Sequence, residues 1–272
     1  MTNRLFTAAV SALSFFAFAL PAAANPRPLP FTYPHAQLAE GEAELEQFVD
    51  LTPVRARSAT TGEPAWYGLT QFATEFEYGL TPRLELGLYV TLAPGAAPDF
   101  ADVPEAMDGN GMKQRLRYQL AEPFAWPVDV SVYGEVSENE REIEAEAKII
   151  LERRFGRARL MANLTGEREF YYDGTHDLVL VPSGGISFEV TPSVQPGIEW
   201  WMNAEYPEED APSPRPFALG PHQYVGPTVL FLFGRLWWTT GVYLRATDRH
   251  HTPAPGEGFG RVWVRSVVGV GL

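Results

Sequence analysis

Glu142-Ile143-Glu144-Ala145-Glu146-Ala147-Lys148-Ile149-Ile150-Leu151 decides the fold. Glu, Ala, Lys and Leu are good helix formers, and propensity alone would coil this stretch. A helix, however, would scatter its charges around the whole circumference. Drawn out with period two, Glu142, Glu144, Glu146 and Lys148 share one side, while Ile143, Ala145, Ala147, Ile149 and Leu151 share the other. The extended form separates charge from hydrocarbon, so the stretch reads as a strand. The same argument overrides helix propensity around Glu42–Val49.

The period returns along the chain. Leu84, Leu86, Leu88, Val90 and Leu92 alternate with Arg83, Glu85, Tyr89 and Thr91; Val128, Val130, Val132 and Val136 alternate with Asp129, Ser131, Tyr133 and Glu135. Leu236, Trp238, Thr240, Val242 and Leu244 alternate with Arg235, Trp237, Thr239 and Arg245. Val262, Val264, Val268, Val270 and Leu272 alternate with Arg261, Trp263 and Arg265. Twelve strands are expected, near 42–51, 67–78, 83–92, 112–120, 128–137, 142–151, 157–166, 178–190, 193–204, 223–233, 235–246 and 261–272. The span 223–233 fits least well: Val225, Val229, Phe231 and Phe233 are assigned to the inner face, opposite Tyr224, Leu230 and Leu232. Such an apolar lining fits either a path for a hydrophobic solute or a surface on which the N-terminal leader packs.

Which face meets which medium separates two architectures. A soluble sandwich or lipocalin-like protein in the periplasm buries its apolar faces and shows its charges to water. Twelve apolar stripes could hardly share one such core. The inverse arrangement is a closed antiparallel transmembrane β-barrel, with the apolar faces in lipid and the charges in the lumen. Strands of about ten residues suit a tilted membrane crossing. Short turns alternate with long loops, and aromatic residues (Trp66, Tyr67, Tyr78, Trp126, Phe170, Tyr171, Tyr172, Trp200, Trp201, Trp263) cluster near strand ends, as in interfacial girdles. An all-β barrel of about 12 strands follows, with both termini periplasmic.

The ends of the chain agree. Residues 1–24 have the form of a secretory signal: Arg4, an apolar run from Leu5 to Leu20, and a small-residue cleavage pattern at Ala22 and Ala24. Residues 25–39 open with the Pro-rich leader NPRPLPFTYP, unsuited to a helix or a central strand. Residues 40–272 form the barrel, and its last residue, Leu272, resembles the apolar C-terminal strand that barrels present for assembly. Outer-membrane lipid, lipopolysaccharide and the outer-membrane assembly machinery are the expected partners, with small solutes as candidate cargo. The formal charge of −13 argues against nucleic acid, and the lack of cysteine removes disulfides, thiol catalysis and thiolate metal sites.

Glu77-Tyr78-Gly79-Leu80-Thr81-Pro82-Arg83-Leu84-Glu85-Leu86-Gly87-Leu88-Tyr89 resembles a YGLTDRLELGL hairpin common in Gram-negative outer-membrane barrels, among them the MetA-pathway-of-phenol-degradation barrel family. Gly41–Phe48 is similar to the first strand of such proteins. Pro82 stands where Asp is commoner. The resemblance implies an outer-membrane barrel and brings no catalytic motif.

A lumen charge network is expected from Glu42, Glu44, Glu46, Glu75, Glu77 and Glu85, answered by Lys113, Arg115 and Arg117, then by Arg157, Arg159, Arg235, Arg245, Arg261 and Arg265. Such a network fills a lumen with its own ion pairs or selects a solute electrostatically. The final strand must meet the first, and Arg261 and Arg265 are expected to face Glu42, Glu44 and Glu46 there. The rival class is a lipid-modifying enzyme. His176 and Asp177 precede Ser183 without a nucleophile-elbow motif, so no catalytic residue is assigned. His250-His251 and the loop acids Asp99, Asp102, Glu105 and Asp108 have no metal-site spacing. No cofactor or metal is expected. The function read from the sequence is a structural barrel or a narrow passive channel for small solutes.

Overall fold

The computed structural model describes residues 24–57, 62, 64–93, 110–207, 221–247 and 258–272. Strands are β1 Ala43–Arg57, β2 Pro64–Thr81, β3 Leu84–Leu92, β4 Gly111–Gln119, β5 Asp129–Asn139, β6 Glu142–Phe155, β7 Ala158–Tyr171, β8 His176–Leu180, β9 Ser183–Phe188, β10 Val194–Pro207, β11 His222–Phe233, β12 Leu236–Arg245 and β13 Val262–Gly271. Each pairs antiparallel with its neighbours, and β13 pairs with β1 from Glu44↔Gly271 to Leu51↔Val264. The sheet therefore closes on itself, leaving no edge to satisfy in lipid.

The thirteenth strand is a matter of interruption. β8 lies between the far ends of β7 and β10, and β9 between their near ends. The two are collinear halves of the single span expected at 178–190. Pro182, which has no amide hydrogen to donate, sits at the break, and its carbonyl accepts from Met202 N at 3.0 Å. The barrel thus has twelve spans. Both segments rich in helix formers, 42–49 and 140–154, lie in extended structure except at the 140–141 turn.

The outward face is hydrocarbon. Leu88, Val90, Leu92, Leu116, Ile149, Leu164, Ile198 and Leu244 are exposed there, whereas Glu44, Glu46, Glu75, Glu77, Glu85 and Arg117 have no accessible surface. This is the inverse of a soluble protein and what a hydrocarbon solvent requires. β11 corrects the sequence expectation. Tyr224 and Leu230 are fully buried and Thr228 nearly so, while Val225 and Phe233 are exposed. Its inner face is Tyr224, Thr228, Leu230 and Leu232, one residue out of step with the expected register. A strand apolar on both faces gives alternation nothing to distinguish. Trp201 and Trp263 likewise leave the expected girdle and point inward, where both pack with Phe31.

The leader occupies the lumen. Residues 24–39 rise from the end of the short turns and fold back toward that end before joining β1. Near its start Asn25 N donates to Glu44 at 2.6 Å; near its finish Leu38 N donates to Glu85 at 2.8 Å, and Gly41 N donates to Gly79 O at 2.9 Å. Phe31 lies near the top of this loop, stacked on Trp201 with ring centroids 4.3 Å apart. Leu29 and Leu38 are fully buried. Of the two explanations left open for the apolar inner face of β11, the leader fits: Leu29 reaches the space beside Gly197 and Thr228. Residues 1–23 of the expected 1–24 signal lie outside the described residues, as do the acids at 99–108 and His250-His251.

Candidate functional site: a lumen divided by the leader

Pairing creates an electrostatic problem. The β1–β2 register sets Glu44 opposite Glu77 and Glu46 opposite Glu75. Like charges directly across a ladder repel. Across the β3–β4 ladder, Arg117 stands opposite Glu85, and Arg115 stands opposite Gly87. A Cβ at Gly87 would come within 2.5 Å of Arg115 Nε, so the glycine is the gap through which this arginine crosses β3 to reach β2. Arg115 then contacts Glu75 at 2.6 Å, Glu85 at 2.8 Å, and Glu77. Arg117 pairs with Glu85 at 2.8 Å.

The remaining charge comes from the leader. Arg27 Nη2 lies 2.8 Å from Glu46, 2.9 Å from Glu75 and 2.7 Å from Glu77, and its guanidinium carbon stands 3.9 Å above the Tyr33 ring. These three carboxylates offer oxygens within 4.8 Å of one another, a cluster that Arg27 and Arg115 fill. Sequence reasoning overlooked Arg27. The signal for it was present, because the acids on the first three strands outnumber the bases on the fourth.

The other predicted network residues separate by position. Arg159 contacts Glu152 at 3.0 Å near the short-turn end. Arg265 makes two 2.8 Å bonds to Asp50 across the closing seam. The seam thus forms between the expected strands, but the acid facing Arg265 is Asp50; Glu44 and Glu46 turn instead to the leader. Arg245 is buried and bonds Phe259 O at 2.9 Å and His222 Nδ1 at 2.8 Å. Glu42, Arg157, Arg235 and Arg261 sit outside the central cluster. Glu42 accepts from Ala39 N at 3.0 Å at the rim, Arg157 and Arg235 occupy turns between strands, and Arg261 is exposed just before β13. Alternation assigns a face but not a depth, and strand ends fall beyond the packed lumen.

At the other end, toward the long connections, a cavity of about 410 Å³ remains. Phe31 and Tyr33 of the leader form part of its floor, and Glu135, Glu144, Glu146, Glu167, Lys113 and Lys148 contribute to its wall. Lys113 lies 3.1 Å from Glu135, and Lys148 lies 2.7 Å from Glu146. Tyr133 donates to Glu135, and Tyr33 shares a 2.7 Å bond with Tyr89. Glu138 and Glu142 add further acid at the mouth. Carboxylates therefore exceed cations along this wall.

His35 ties the returning arm of the leader to β4, β5 and β6. Its amide donates to Glu152 at 2.9 Å, its carbonyl accepts from Gln119 at 2.9 Å, and its Nδ1 lies 2.8 Å from Ser131 Oγ. Burial holds its imidazole below the ordinary value of 6.5, against the opposing pull of Asp129 and Glu152 and together with the push of Arg117 and Arg154. His176 and Ser183 are not brought together. They lie on the collinear β8 and β9, seven positions apart in nearly extended chain, which corresponds to roughly 20 Å.

Solved structures similar to it in fold include outer-membrane channels. An outer membrane channel from Pseudomonas putida F1 aligns with a TM-score of 0.56 at 10% identity, over 91% of this chain and 100% of that one. The NanC porin aligns at 0.54 with 6% identity over 82% and 98%, and the KdgM porin at 0.50 with 7% identity over 83% and 98%. At these identities the likeness is one of fold. No protein-family model matches the chain, and comparison with curated proteins gives no match.

Proposed function

We propose that this protein is an outer-membrane barrel that passes small solutes passively and narrowly, with a preference for cations. The observation that carries the reading is the division of the lumen: the leader and its ion pairs fill the short-turn half, while an acid-rich cavity opens toward the long loops. A path with excess carboxylate concentrates cations and disfavours anions. The channels of similar fold support passive conduction, and the likeness of the 77–89 hairpin to MetA-pathway barrels fits the same location. Export by the 1–24 signal, assembly by the outer-membrane machinery and contact with lipopolysaccharide belong to the proposal.

Reconstitution in planar bilayers under a salt gradient tests it. Small conductance steps with a cation-directed reversal potential are expected, and deletion of residues 26–38 should enlarge the steps. Silence from both the native and the leader-deleted barrel would leave a self-filled scaffold. Fractionation that found the chain soluble in the periplasm would remove the membrane reading altogether.

A further inference from the structure

Glu44 has no accessible surface and stands directly across the ladder from Glu77. Two groups hold it: the indole Nε1 of Trp237 and the main-chain nitrogen of Asn25, the latter at 2.6 Å. Trp237 is itself seated over Gly269, where a Cβ would overlap its ring, so this donor is fixed in place. Arg27, the nearest leader cation, is already shared among Glu46, Glu75 and Glu77. Around this end of the lumen the buried carboxylates of Glu44, Glu46, Glu75, Glu77 and Glu85 meet the guanidinium groups of Arg27, Arg115 and Arg117. The acids outnumber the bases, and an uncompensated buried charge is strongly destabilising.

The nitrogen that meets Glu44 is the one that the expected signal cleavage would change. Ala22-Ala23-Ala24 places the cut immediately before Asn25. Before cleavage this atom is a neutral amide that donates one hydrogen bond. Hydrolysis of the Ala24–Asn25 peptide bond by water leaves a carboxylate on Ala24 and an amine on Asn25, which is protonated at neutral pH. The product is an ammonium 2.6 Å from a buried carboxylate, so a hydrogen bond with one ionised partner becomes an ion pair with two.

We propose that the processed N-terminus is itself a lumen cation: the α-ammonium of Asn25 pairs with Glu44 and fastens the ascending arm of the leader inside the barrel. Proteolytic maturation thereby adds a fourth cation to the five buried acids of this end. The inference rests on the signal reading for its premise and on the Asn25–Glu44–Trp237 geometry for its content.

Amine labelling tests both separately, because the mature chain has few amines: its terminus, Lys113 and Lys148. The full chain is expressed with its own signal, extracted from the membrane in mild detergent and treated with an acetylating succinimidyl ester, folded and in urea. Mass spectrometry then identifies the first residue and the extent of labelling at each amine. The expected result is a chain starting at Asn25 whose terminus labels about tenfold or more slowly when folded, since pairing withholds the neutral amine that reacts. Lys113, partly exposed at the cavity, reports reagent access to the long-loop end of the lumen, and the Glu44→Gln variant separates pairing from burial at the terminus. Glu44→Gln should restore fast labelling of the terminus. A different first residue would overturn the processing premise. A chain starting at Asn25 whose terminus labels equally fast folded and unfolded would overturn the pairing, and this native comparison decides even if the variant does not fold.

Discussion

Arg265 and Asp50 face each other across the seam where β13 meets β1, joined by parallel bonds from Nε to Oδ1 and from Nη2 to Oδ2, each 2.8 Å long. This fork-to-fork geometry is among the strongest available to a side-chain pair. Both groups are largely removed from water, and the Phe31 ring lies 3.7 Å from the guanidinium carbon. One contact therefore joins the first strand, the last strand and the leader.

Arg265→Glu should impair folding by about 3–5 kcal/mol, because it leaves two carboxylates facing each other at closure. Arg249→Glu, in the long connection before β13 and outside the described residues, should have little effect. Heat-modifiability on gels and the yield of folded barrel in the membrane measure both. Combining Asp50→Arg with Arg265→Asp should recover much of the loss. Equal behaviour of the two single variants would leave the strand pairing intact and remove the electrostatic part.

Arg27→Ala should undock the leader. It strips Glu46, Glu75 and Glu77 of a shared cation, at a cost of about 3–5 kcal/mol for a buried pair broken on one side. Arg27→Lys should fall between, since an ammonium can take the place of Nη2 among the three carboxylates but loses the second bond from Nε to Glu46. Protease nicking within 25–39 and larger conductance steps are the readouts. A leader equally protected in all three proteins would show that Arg27 does not hold it.

Acid should loosen the returning arm of the leader. Docked, the His35 imidazole is held below its ordinary value of 6.5; released into water, it regains that value. The released form therefore binds the proton more readily. Docking is fully favoured above pH 6.5 and weakens as pH falls, by up to about 1.4 kcal/mol per pH unit until the docked imidazole itself titrates. Tryptophan emission or conductance followed from pH 7.5 to 5 should change in the native barrel and stay flatter in His35→Gln. A matching response in the variant would assign the change to the lumen carboxylates.

Phe31→Ala should open the cavity floor. The ring stacks on Trp201 and meets Tyr243 edge-on at 5.2 Å but is only partly buried, so its loss should cost less than the ~3–5 kcal/mol of a fully buried Phe→Ala. Trp201 is nearly inaccessible in the intact barrel, and its emission should shift to the red as water enters. An unchanged spectrum with native stability would mean that the aromatic cluster holds without the leader.

Residues 142–151 show why so much of the wall was legible: a charge at every second position has one extended solution and no helical one that keeps charge from hydrocarbon. The closing of β13 on β1 followed from the same demand, since an open edge has no partner in lipid. β11 shows where the logic ends. With Tyr224 and Leu230 on one face and Val225 and Phe233 on the other, both registers look alike, and what distinguishes them is Leu29 of the leader. Arg27 escaped for a related reason. A Pro-rich segment carries no periodicity, so its placement is set by the acids it neutralises, which lie far away in sequence. Depth was also invisible, as Glu42 and Arg157 show at the rims.

The leader rises and returns through the same mouth of the barrel. It is consequently not threaded: the loop can withdraw without any strand unpairing, and the wall can close before the loop arrives. Its junction with β1 keeps a withdrawn loop tethered, at a local concentration on the order of millimolar for so short a connection. Reinsertion is then a unimolecular event that needs no partner.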